Sequence, residues 1–334
     1  MYRDLRDRDP VHHVTDGDFW FLARFADVFA AARDPATFSS ASGLTVDSDG
    51  PATDLGDVTP IVFLDPPDHT AFRRLVGRGF TPRQVADLED EVRVFVTSAL
   101  DRVIEAGGGD IIADLFKPLP SFVVAHYLGV PATDRVRFDG WTERIVAGAA
   151  QGGTSDGLDA IADLASYFSH LIDRRRTDPG DDMISQLVGL GEEQASVMWI
   201  LGFAFTMVAG GNDTTTGMLG GSAVLLTEHR GERRRLLDDP SLIPNAVEEL
   251  LRLTSPVQNL ARTTTRDVDV GGTTIPTGAR VLLGYGSANR DEREYGANSE
   301  FLDVGRPVGR MLTFGSGTHF CLGAAAARLQ ARVA

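Results

Sequence analysis

Phe314-Gly315-Ser316-Gly317-Thr318-His319-Phe320-Cys321-Leu322-Gly323 holds the only cysteine of the 334-residue chain. The loop is glycine-punctuated, lacks acids, lysines and arginines, and runs into an alanine-rich stretch that reads as a helix. A thiol at the start of a helix meets the positive end of the helix dipole and several free backbone N–H groups. Those conditions favour thiolate, which is either a nucleophile or a metal ligand. Gly315, Gly317 and Gly323 present no side chain to something large and flat lying against the backbone. The segment reads as a seat for a bulky cofactor held by one sulfur.

Two further groupings carry chemistry. Gly210-Gly211-Asn212-Asp213-Thr214-Thr215 lies inside a long apolar stretch. Adjacent glycines in a helix interior cost about 1 kcal/mol each relative to alanine. Asp213 and Thr214 in that setting are costly if idle. The plain alternative is a helix kink with a threonine bonded back to the carbonyl four residues earlier. Glu249-Leu250-Leu251-Arg252 places an acid and a base on one helical face, where they can pair.

The elements that must position these residues are mostly helical. Helical spacing is expected over Phe19–Phe38, broken by Pro35, and Ser39–Pro60 reads as a loop. Asp65-Pro66-Pro67-Asp68 is a turn leading into a basic helix, His69–Phe80. Further helices are expected over 84–107, 111–128, 132–149, 157–176, 181–189 and roughly 193–229, with another closing at Glu248–Leu253. Arg266–Leu283 alternates around Gly271-Gly272 and reads as a short hairpin region. The remainder to Arg310 reads as loop. The fold class is mainly α with a small β region, in one domain over residues 1–334.

Composition narrows the function classes. A hydrophobic fraction of 43% and a charged fraction of 24% suit a soluble globular protein. The net charge of −15, from 32 basic and 47 acidic residues, argues against nucleic acid or an anionic membrane as partner. One cysteine excludes an internal disulfide and suits a cytoplasmic setting. The charged opening Met1–Asp9 is no signal peptide, and no membrane anchor is evident. Ala195–Asn212 is eighteen residues without charge, but its glycines, Thr206 and Asn212 favour a buried helix over a membrane span.

The cysteine loop resembles the haem-binding loop of the cytochrome P-450 superfamily, the haem-thiolate monooxygenases. It matches Phe-Gly-x-Gly-x-His-x-Cys-x-Gly at every defined position. Residues 210–214 also fit that family's oxygen-activation motif, Ala/Gly-Gly-x-Asp/Glu-Thr. The resemblance implies the P-450 fold (α+β), incomplete at the C-terminus and starting later than usual. It implies haem b, with Cys321 as axial iron ligand and Phe314, Gly315, Gly317 and Gly323 against the cofactor. A thiolate ligand pushes electron density onto iron and favours O–O cleavage. Gly210 and Gly211 would adjoin the haem, Thr214 would steady bound oxygen and Asp213 would relay protons. His69, Arg73, Arg262 and His319 would hold the two propionates. Glu249, Arg252 and Arg306 would brace the loop's scaffold.

The implied activity is a monooxygenase that inserts one atom of dioxygen into an apolar small molecule, by hydroxylation or epoxidation. Segments 41–60, Phe203–Gly210 and Pro256–Leu260 would line its substrate pocket. Ferredoxin and ferredoxin reductase would supply electrons, with NAD(P)H acting only indirectly. Arg73, Arg74, Arg78, Arg83, Arg310 and Arg328 are the candidate docking cations. One cysteine cannot ligate an iron–sulfur cluster in this chain, and no Gly-x-Gly-x-x-Gly follows a strand. Two other readings stand beside this one. The first is a non-catalytic haem-binding protein or an inactive truncated form. The second is a cysteine-dependent hydrolase pairing Cys321 with His319, which leaves residues 210–214 unexplained.

Overall fold

The structure, a computed structural model, describes all residues except 47–59, 81, 136, 138, 139, 142, 146 and 148–154; for Arg78, Pro82 and Arg83 only the backbone is described. The chain divides into two compact units: Met1–Asp54, Val62–Thr70 and Gly220–Ala324 form one, and Leu55–Ile61, Ala71–Leu219 and Ala325–Ala334 the other.

The first unit is built on a five-stranded sheet in which strands Val11–Val14 (β1), Phe19–Leu22 (β2), Arg280–Leu283 (β7), Leu260–Thr264 (β4) and Phe38–Ser39 (β3) lie side by side in that order. β1 (Val11–Val14) and β2 (Phe19–Leu22) are antiparallel, and β2 runs parallel to β7 (Arg280–Leu283). β4 (Leu260–Thr264) is antiparallel to both β7 and β3 (Phe38–Ser39). The register sets Arg262 opposite Val281 and Thr263 opposite Arg280. Helix Phe25–Ala32 lays Phe25, Val28 and Ala31 into a core with Leu22, Val281, Leu283 and Leu312. A second core joins helix Ile243–Thr254, through Ala246, Leu250 and Leu253, to Leu302 and Val304.

Part of the expected helix over Phe19–Phe38 is strand. Phe19-Trp20-Phe21-Leu22 pairs on both sides, as aromatic residues do readily in a sheet. β1 and β4 also lie where no strand is expected from the sequence. The hairpin forms from β5 (Val268–Val270) and β6 (Thr273–Ile275) across Gly271-Gly272. β7 leaves that hairpin and joins the larger sheet. Short helices Tyr285–Ala288 and Glu292–Tyr295 interrupt the expected loop, and Arg230–Asp238 is a helix the spacing does not announce.

The second unit is helical. Helices Glu89–Glu105, Pro118–Tyr127 and Ser155–Thr177 belong to it, with the first part of the 32-residue helix Val197–Glu228. Ile200, Phe203, Ala204 and Val208 are buried on that helix. Phe72 packs against Trp199 with the rings tilted by 53° and their centroids 4.9 Å apart. Apolar burial of this kind contributes about 1.5–3 kcal/mol per large side chain. Among the described residues, no helix is long and apolar enough to cross a membrane.

Candidate functional site

In the first unit, Cys321 sits exposed at the end of a tightly closed loop. Its N–H donates to the Phe314 carbonyl at 2.8 Å, and Gly315 N–H donates to Leu312 O at 2.9 Å. A 3₁₀ turn, Gly317–His319, precedes it, and helix Ala324–Val333 starts three residues after it. The base of the loop is fixed by Leu312 in the core.

Gly317 is required twice over. Its φ is +69°, and a Cβ there would stand 2.7 Å from the Ala32 carbonyl oxygen and 3.0 Å from Arg33 Cα, both main chain. Gly317→Ala is therefore expected to cost about 1–3 kcal/mol, read as a lower denaturation midpoint. At Gly323, by contrast, a Cβ would meet no atom within 4 Å. A flat group can approach the main chain there.

His319 is brought together with His69, the two rings 4.2 Å apart between centroids. His69 is only 2% exposed. The Ser40 hydroxyl is 3.2 Å from His319 Nε2, and Asp65 Oδ1 accepts from Ser40 N–H at 3.0 Å. Asp65 Oδ2 accepts from Ser39 Oγ at 2.5 Å. Ser39, Ser40 and Asp65 are missed by sequence reasoning, because nothing in their types links them to a loop near the far end of the chain, 279 residues away in the case of Ser40 and His319.

Arg262 is 4% exposed on β4, and its Nη1 donates to the Ala261 carbonyl at 2.7 Å. Among the described residues no carboxylate pairs with it. Its charged neighbour on β7 is Arg280, whose pKa is lowered first by burial and then by Arg262. A buried guanidinium of this kind is a ready partner for an anionic group. An exposed thiol, two packed imidazoles and this buried guanidinium are the donor set that an iron porphyrin bearing two carboxylates requires. The residues fit haem.

Behind the loop stands a buried ion cluster. Glu249 and Arg252 are both 0% exposed. Arg252 Nε and Nη2 each donate to Glu249 at 2.7 Å. Arg306 Nε donates to Glu249 Oε1 at 3.1 Å. Arg252 Nη1 also reaches the carbonyls of Asn289 and Ser299, at 2.6 and 2.7 Å. The cluster fastens helix Ile243–Thr254 to the segment that leads to the cysteine loop.

In the second unit, the helix stays continuous through 210–215. Thr214 Oγ1 donates to the Gly210 carbonyl at 2.7 Å, the back-bonded arrangement. A Cβ at Gly211 would lie 2.7 Å from Val124 Cγ2, whereas one at Gly210 would meet nothing within 4 Å. Close packing on helix Pro118–Tyr127 thus accounts for Gly211, and open space adjoins Gly210. Arg73 lies in this unit, half-buried.

Burial raises the Asp213 pKa above its usual value; Lys117 draws it back and Glu143 pushes it up. Lys117 and Glu143 themselves pair at 3.0 Å. Between the unfolded and the raised folded pKa, the native state holds more protons than the unfolded chain. Stability contributed by this group therefore falls as pH rises through that window. Asp213→Asn is expected to lack this fall. It should match the parent at acidic pH and exceed it near neutrality, in denaturation midpoints measured across the carboxylate range.

Of the candidate docking cations, Arg310 is held by Glu294 through bonds of 2.6 and 2.8 Å. Arg74 is exposed and Arg328 half-buried. The side chains of Arg78 and Arg83 lie outside the described residues, as do positions 47–59 of the expected pocket loop.

The cytochrome P450 family model matches residues 224–334. The chain is 59% identical over 345 residues to "Cytochrome P450 130" of Mycobacterium tuberculosis, covering 100% of this chain and 85% of that one. It is 38% identical over 340 residues to a vitamin D(3) 25-hydroxylase of Pseudonocardia autotrophica, covering 100% and 83%. The fold superposes with a TM-score of 0.90 on CYP109E1 of Bacillus megaterium in complex with testosterone, at 31% identity, covering 99% and 86%.

Proposed function

The chain belongs to the cytochrome P450 family, and from that premise we propose the residues that serve its activity. It is a haem-dependent monooxygenase that inserts one oxygen atom into an apolar small molecule, with haem b as cofactor and electrons reaching it from NAD(P)H through redox partners. Haem, when bound, supplies the reductive activation of dioxygen.

Cys321 holds the iron through its thiolate. The observation that carries this reading is the placement of that sulfur, exposed on a closed loop in the same unit as the His69–His319 pair and buried Arg262. His69, Arg73, Arg262 and His319 hold the propionates. Ser40 orients His319. Phe314, Gly315, Gly317 and Gly323 lie along the cofactor, and Glu249, Arg252 and Arg306 keep the loop's base in place.

Asp213 and Thr214 manage protons. A carboxyl with a raised pKa gives up and takes back a proton more readily near neutrality than an ordinary aspartate. The Thr214 hydroxyl, bonded to Gly210 O, is held on the helix while its lone pairs stay available to accept. Gly210 and Gly211 border this part of the site. Residues 1–334 act as one catalytic domain.

The electron donor is a ferredoxin served by its reductase, steered by local arginines on an acidic protein, and the setting is cytoplasmic. The substrate is a polycyclic or long-chain apolar molecule. The vitamin D(3) hydroxylase and the testosterone-bound neighbour support a steroid-like class. The test is turnover with a surrogate ferredoxin and reductase under isotopically labelled dioxygen, using a steroid and a fatty acid in parallel. One labelled oxygen in the product supports the reading. Reduction of dioxygen without any labelled product, across both classes, contradicts it.

A further inference from the structure

Asn289 is fully buried at 0% exposure, directly after helix Tyr285–Ala288. Its side chain uses both of its polar ends. Nδ2 donates to Ser255 Oγ at 2.8 Å and to Thr313 Oγ1 at 3.0 Å. Oδ1 accepts from Leu312 N–H at 2.7 Å, and the Tyr295 hydroxyl approaches it at 3.4 Å. Its main-chain carbonyl accepts from Arg252 Nη1 at 2.6 Å.

The two hydroxyls that Asn289 meets have each committed their single proton elsewhere. Ser255 Oγ donates to the Arg252 carbonyl and Thr313 Oγ1 to the Leu251 carbonyl, both at 2.8 Å. Each therefore offers only lone pairs to residue 289. The Leu312 N–H on the other side needs an acceptor. A carboxamide satisfies both sides. A carboxylate of the same shape would turn lone pairs on lone pairs.

Leu312 and Thr313 are the last residues before the cysteine loop. From them the path continues through Gly315 N–H on Leu312 O and Cys321 N–H on Phe314 O, at 2.9 and 2.8 Å. We propose that Asn289 is a positioning residue for the Cys321 thiolate: it transmits the rigidity of the Glu249–Arg252 pair to the base of the loop and so fixes where the sulfur stands. The proposal rests on Cys321 as the iron ligand. Groups that support a metal ligand typically contribute 10–100-fold to metal affinity or activity, and Asn289 does so through the base of the loop.

The test compares the haem-loaded parent with Asn289→Asp and Thr313→Val, the second being a milder change that removes one hydroxyl. Leu164→Ala, 2% exposed on helix Ser155–Thr177 of the second unit, serves as a comparator destabilised for unrelated reasons. The readouts are the carbon monoxide spectrum of the reduced protein and the rate of haem loss to a scavenger. Asn289→Asp is expected to lose haem about 10–100-fold faster and to shift part of its band away from the thiolate position. Thr313→Val should move the same way, less far, and Leu164→Ala should move neither. If the parent lacks a thiolate band, the assignment of Cys321 fails first. If the parent has it and both variants keep its band and its haem-loss rate, the positioning role is overturned while the ligand assignment stands.

Discussion

Cys321→Ser is expected to abolish oxygen insertion while leaving the fold in place. The cysteine is exposed, and the loop around it is closed by main-chain bonds and by Leu312 in the core. A serine hydroxyl changes one atom there and disturbs none of these. What it removes is the sulfur that donates electron density to iron and favours O–O cleavage. Loss of a mere supporting group costs up to about 100-fold, and loss of the ligand itself should exceed that. The check is product formation per bound haem, with denaturation midpoints of the haem-free chains measured alongside. Retained turnover in the serine variant would show that the sulfur is not the ligand.

Glu249→Gln is expected to have the largest effect on stability. Among the described residues, Glu249 is the one carboxylate serving Arg252 and Arg306, and it also accepts from Asp303 N–H at 3.3 Å. Glutamine keeps the size but loses the charge, stranding the fully buried Arg252 guanidinium. Breaking a buried pair from one side typically costs about 3–5 kcal/mol, because the remaining charge has no compensation. Arg306 is 12% exposed at its side chain and can recover some solvation. Denaturant unfolding of the two chains measures the difference. A loss within the range of an exposed pair, below about 1 kcal/mol, would mean the cluster is held by other contacts.

The cluster also illustrates how much the sequence revealed. The spacing of Glu249 and Arg252 is visible in one helical turn, and their bidentate bond follows from it. Arg306, 57 residues away, came only through the family resemblance. Asn289 has no local signature, because an asparagine after a short helix is ordinary until its neighbours are known to be buried. The stretch Ser287-Ala288-Asn289-Arg290-Asp291 was a usable hint, being polar where Ser287, Asn289 and Asp291 all prove buried.

Other residues divide on the same principle. The glycine-rich loop was legible from residue type, yet the demand at Gly317 comes from Ala32 and Arg33, nearly 300 positions earlier. The pairing of His69 with His319 is likewise tertiary. Phe19–Leu22 misled because aromatic residues fit an apolar helical face as well as a pleated sheet, and parallel pairing with β7 settles it as strand. Gly210 and Gly211 leave a helix kink open as the plain alternative. The continuous helix assigns Gly211 to packing against Val124 instead.

The central claim is that Cys321 binds haem iron as a thiolate. The most direct measurement is the absorption spectrum of the purified, haem-supplied chain, reduced and exposed to carbon monoxide. A strongly red-shifted Soret band that disappears in Cys321→Ser is the predicted result. A band at the position of histidine-ligated haem, unchanged by the substitution, would contradict it.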